Sequence, residues 1–113
     1  MQNQLEYYND LKKQGQKRDQ ALPKMAAAQD VMRKEAYKDG LLSCKVKRLI
    51  ALGIALGAGC TGCMLGQTKL AIDAGATRDE LFEVIGIAIS MRGTTGGAEA
   101  LKVIKFLDEL DTE

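Results

Sequence analysis

Along most of this chain, apolar residues recur at the three-to-four spacing of an α-helix, and nowhere do they alternate as in a half-buried strand. Met25, Ala28, Met32 and Ala36 predict a helix from Lys24, with Pro23 suited to its first turn and Gly40 suited to the position just past its end. Ser43 caps the next expected helix, which carries Val46, Leu49, Ile50, Leu52, Ile54, Ala55 and Leu56. These positions surround most of that helix and predict a place at the centre of the core. A further helix is expected from Cys60 to Ala74, closing at Gly75. Thr77-Arg78-Asp79-Glu80 reads as a capping box opening a helix with Leu81, Val84, Ile85, Ala88 and Ile89. Gly93 to Gly97 reads as a turn, and a last helix carries Leu101, Ile104, Leu107 and Leu110. Residues 3–19 hold only a sparse apolar set, Leu5, Tyr8 and Leu11, and predict a solvent-facing helix or a partly disordered arm. The expected fold is therefore all-α, with five to six helices. Residues 1–24 form a polar N-terminal helix or arm, and residues 25–113 form the helical domain.

Composition narrows the function classes. The 113 residues suit one domain, and 46% hydrophobic content is enough to build a core. Aromatics are only 4%, so Leu, Ile, Val, Ala and Met must fill it. Sixteen basic and fifteen acidic side chains balance to +1, which supplies no attraction for nucleic acid or an acidic membrane. The longest apolar run, Leu49 to Ala58, falls well short of the roughly 18 residues that span a bilayer. The polar start Met1-Gln2-Asn3-Gln4 and an odd count of three cysteines predict a reducing cytoplasm and no structural disulfide framework. The all-round apolar helix also asks for more cover than one small chain provides, so a homo-oligomer is expected.

Few residues carry chemistry. The chain has no histidine, which removes histidine bases, histidine metal ligands and histidine-paired nucleophiles. No phosphate-cradling or dinucleotide glycine pattern follows a strand, so no organic cofactor is expected. What remains is Cys60-Thr61-Gly62-Cys63. Residues three apart share a helix face, and a small local adjustment brings such a pair to disulfide distance. A helix N-terminus also favours the thiolate over the thiol. Three readings stay open: a redox pair, two small buried hydrophobes, and half of a metal site shared between subunits, since zinc wants four ligands and one chain supplies too few. Cys44, standing apart, reads as a small buried hydrophobe.

The stretch Lys45-Val-Lys-Arg-Leu-Ile-Ala-Leu-Gly-Ile-Ala, then Gly59-Cys-Thr-Gly-Cys63, Ala71-Ile-Asp-Ala-Gly-Ala-Thr77 and Glu80-Leu-Phe-Glu-Val84 resembles the carboxymuconolactone decarboxylase / AhpD-like family over roughly residues 40–107. The resemblance implies an AhpD-like helical bundle assembling as dimers, trimers or hexamers. It also implies a peroxiredoxin-type, antioxidant CxxC centre acting on a small peroxide or on a dithiol or disulfide partner, with Cys63 attacking and Cys60 resolving; the helix-dipole argument favours the earlier cysteine, Cys60, instead, and both assignments stay open. Three positions depart from the family's proton relay. A histidine four residues past the second cysteine is here Gln67, a histidine between the cysteines is Gly62, and a glutamate twelve residues before the first is Arg48. Gln67 hydrogen-bonds but takes no proton near neutral pH. Arg48 can support a thiolate electrostatically, and Glu83 or Glu80 can replace the missing carboxylate. Decarboxylase chemistry is disfavoured, because that branch uses a histidine and does not rely on a CxxC pair. A non-catalytic scaffold that kept the fold is the alternative from another class.

Overall fold

A computed structural model describes residues 1–112; Glu113, the last residue of the expected helical domain, lies outside them. Five helices and no strand make up the described chain: α1 (Gln4–Ala21), α2 (Pro23–Tyr37), α3 (Cys44–Ala58), α4 (Thr61–Asp73) and α5 (Arg78–Asp111). Helix ends follow the local chemistry. Asn3 Oδ1 accepts from Glu6 N at 2.8 Å, and Ser43 Oγ accepts from Val46 N at 3.2 Å. At Thr77 both halves of the capping box form, with Glu80 N donating to Thr77 Oγ1 at 3.2 Å and Thr77 N to Glu80 Oε1 at 2.9 Å. Pro23 opens α2 as expected. Gly40 does not end α2: the helix stops at Tyr37, Lys38 is extended, and among the described residues positive φ occurs only at Gly59, Gly75 and Gly93.

The core is built where α3, α4 and α5 meet, from Leu52, Leu56, Met64, Leu81, Ala100 and Val103, all fully buried. The centrality expected of α3 holds for only one of its faces. Leu52, Ala55 and Leu56 are buried, while Ile50 is 48% and Ile54 67% exposed. Those two side an apolar groove of about 510 Å³ between α3 and α5, together with Val84, Ile87 and Met91. Helix α2 buries no residue at all, and its Met25, Val31 and Met32 lie open.

The glycine-rich stretch after Met91 differs from the expected turn. Only Gly93 leaves helical geometry, at φ 64° and ψ −145°, and residues 94–97 continue the helix as a kinked α5. Gly96 serves close packing: a Cβ there would sit 2.9 Å from Ala88 O and 2.9 Å from Arg92 Cβ. The break is bridged by Arg92, which hydrogen-bonds Glu99 across it and donates to Leu56 O at the end of α3. Each partner of the ion pair favours the other's charged form, so the Glu99 carboxyl is held below its ordinary range, chiefly by its hydrogen bond from Arg92.

The polar N-terminal stretch is helical and packs onto the bundle. Tyr8 meets Phe106 at 5.2 Å between ring centroids, and Gln4 N and Leu5 N both donate to Glu109 Oε1. Among the described residues no helix is long and apolar enough to cross a membrane.

Candidate functional site: a cysteine pair on a cationic cavity

Helix α3 ends at Gly59, whose left-handed φ of 71° reverses the chain directly into Cys60. Cys60 is then the N-cap of α4, and its Sγ accepts a hydrogen bond from Cys63 N at 3.3 Å. Cys60 thus precedes the helix instead of lying within it, and its sulfur occupies the place where a capping oxygen usually sits. The two cysteines are joined as a disulfide with their Cα atoms 5.2 Å apart. Cys60 is half-buried and Cys63 is exposed. Cys44 is a free thiol, half-buried at the start of α3, and not the fully buried hydrophobe expected.

The pair lines an open cavity of about 1250 Å³. Its floor is one face of α4, where Cys63, Gly66, Gln67 and Leu70 follow helical spacing. Helix α3 contributes Arg48, α2 contributes Met32, Ala36 and Tyr37, and α1 contributes Leu11 and Arg18. Arg48 and Gln67, nineteen residues apart in sequence, come together: Arg48 Nη1 donates to Gln67 Oε1 at 3.2 Å. The Arg48 guanidinium also stacks on the Tyr37 ring, 3.4 Å from its centroid.

The two glutamates do not join the site. Glu83 is exposed on α5 and lines no part of the cavity. Glu80 is occupied by its capping box and by Lys45 Nζ at 2.9 Å. The Lys45 hydrogen bond, then the Thr77 amide, hold its carboxyl below the ordinary range, so it stays a carboxylate near neutral pH.

Three contributions escaped the sequence reading. Tyr37 fixes Arg48, and no pattern in the chain pairs those two. Lys102 Nζ donates to Thr61 Oγ1 at 2.9 Å, placing a cation beside the first residue of α4, again across a tertiary contact. The Arg92–Glu99 clamp left a trace, because opposite charges seven apart fall on one helix face. Among the described residues, no three cysteine or acidic side chains are grouped to hold a metal ion.

The comparisons agree with this frame. The carboxymuconolactone decarboxylase family model matches residues 23–106. An uncharacterized protein of Cupriavidus necator is 42% identical over 87 residues, spanning 77% of this chain and 76% of that one. An uncharacterized protein in the cox locus of Paracoccus denitrificans is 37% identical over 78 residues, 69% of this chain and 70% of that one. The crystal structure of an apo carboxymuconolactone decarboxylase family protein from Legionella pneumophila superposes with a TM-score of 0.87 at 28% identity, covering 96% of this chain and 97% of the other. A Thermotoga maritima structure shares the fold at a TM-score of 0.72 and 23% identity, covering 99% and 96%. With the family model matching most of its length, the chain belongs to the carboxymuconolactone decarboxylase family.

Proposed function

We propose that the protein is a thiol–disulfide oxidoreductase working through Cys60 and Cys63. The observation that carries this reading is the capped, half-exposed disulfide at the N-terminus of α4, opening on the cavity. A thiolate from a reducing dithiol attacks the exposed Cys63 Sγ and breaks the Cys60–Cys63 bond. Cys60 leaves as a thiolate, which the Cys63 N–H and the α4 dipole stabilise. A better-stabilised leaving thiolate leaves faster. The dithiol's second thiol then displaces Cys63, yielding oxidised dithiol and two protein thiols. In the return step a disulfide, or a small peroxide that is reduced to alcohol and water, takes the two electrons back. Thiolate exchange needs no general base, which suits a chain without histidine and a Gln67 engaged by Arg48.

The test is catalysis of insulin-disulfide or peroxide reduction by dithiothreitol. Turnover above the uncatalysed rate supports the reading. A pair that forms no disulfide under mild oxidant, or a rate equal to background, overturns it.

A homo-oligomer belongs to the same reading. A second copy of this chain is the proposed cover for the apolar α3–α5 groove, whose walls are almost wholly hydrocarbon, and for the open apolar side chains of α2. Sedimentation at micromolar concentration is expected to give a species larger than one chain, and Ile54→Glu with Ile87→Glu to shift it to monomer. A native monomer contradicts this.

A further inference from the structure

Arg48 stands in an unusual position for a half-buried cation. None of the ion pairs among the described residues includes it. It is held from two sides, by the Tyr37 ring and by Gln67 Oε1, and so is fixed in place before any ligand arrives. A guanidinium offers five N–H donors in a rigid fork suited to a carboxylate, and Gln67 takes only one of them here.

The rest of the cavity wall brings no unpaired carboxylate. Its single one, Asp30, is bound by Lys34 at 2.9 Å; Arg18 and Lys38 are paired with Asp19 and Glu35, while Arg33 has no carboxylate partner among the described residues. Met32, Leu70 and Leu11 supply apolar surface in the same cavity. The wall therefore combines a reactive sulfur, a short hydrocarbon lining and a preorganised cation.

We propose that Arg48 is an anion-binding residue and that the cavity takes thiols bearing a carboxylate. The proposal rests on the thiol-redox reading of Cys60 and Cys63 and names the substrate class of that site. In the reaction, the carboxylate pairs with Arg48 while the substrate's thiolate attacks Cys63 Sγ and expels Cys60. A second substrate thiol then resolves the mixed disulfide, so two thiols become one substrate disulfide and the protein disulfide becomes two thiols. A carboxylate held by a charged fork gains both orientation and local concentration.

The test compares 3-mercaptopropionate with 3-mercaptopropionamide, which differ in the anionic end, as reductants of the oxidised full-length protein. Rates are expressed per thiolate to remove the difference in thiol acidity. The acid is expected to react about tenfold faster at low ionic strength, an advantage that salt erodes. In Arg48→Gln the ratio of the two rates is expected to fall to about one, and in Arg48→Lys to be partly kept. Equal rates in the native protein overturn the proposal while leaving the redox reading intact. An advantage that survives in Arg48→Gln also overturns it, since the charge then acts from elsewhere or on the protein's own thiolate. If neither thiol reduces the pair, the redox reading itself falls, and this inference with it.

Discussion

Serine at Cys60 or at Cys63 is expected to reduce turnover to the uncatalysed background, while Cys44→Ser leaves it unchanged. The two losses should differ in kind. In Cys60→Ser the exposed Cys63 still meets an incoming disulfide but has no neighbour to release the product, so a mixed disulfide accumulates, visible by intact-mass spectrometry. In Cys63→Ser the remaining sulfur is the half-buried N-cap, and adduct formation should be slower. Equal turnover in native protein and either single variant would remove the pair from the mechanism. Loss of turnover in Cys44→Ser would shift attention to the start of α3.

The second large effect concerns stability. Phe106 is fully buried on α5 and meets Tyr8 of α1. Phe106→Ala should cost about 3–5 kcal/mol, the usual loss when a buried ring leaves a cavity. For a domain of this size that lowers the melting temperature by more than about 10 °C. Phe106→Leu, which keeps most of the volume, should cost less than half as much. Because α1 is otherwise polar, its protection against amide exchange should fall with Phe106→Ala before that of α3. Melting within a degree or two of native would show that α1 does not rest on this contact.

Those two effects mark what could be read in the chain beforehand. The all-α fold followed from periodicity, and most helix starts followed from local chemistry: Ser43, Thr77 and Pro23 act on neighbours within three residues. The cysteine pair was legible for the same reason, being three residues apart. Misreadings arose where one residue type serves several purposes. Gly93 breaks a helix, Gly96 allows two helical turns to touch, and Gly40 does neither, yet all three look alike in sequence. The packing of α1 was hidden because it rests on partners about a hundred residues away in sequence, Phe106 for Tyr8 and Glu109 for the amides of Gln4 and Leu5. Arg48 and Gln67 could be named as relay positions, but their mutual hydrogen bond and the Tyr37 stack exist only once α2, α3 and α4 are assembled. The same limit applies to Lys102 at Thr61 and to Glu83, whose exposed place on α5 keeps it out of the cavity.

The central claim is that the N-terminus of α4 makes Cys60 a stabilised thiolate in a reactive pair. Alkylation rate against pH, followed for each cysteine of the reduced protein by mass spectrometry, tests it most directly. The claim predicts that Cys60 titrates well below the ordinary thiol value of about 8.5. A Cys60 that alkylates like an ordinary thiol, or remains unreactive up to alkaline pH, would contradict it.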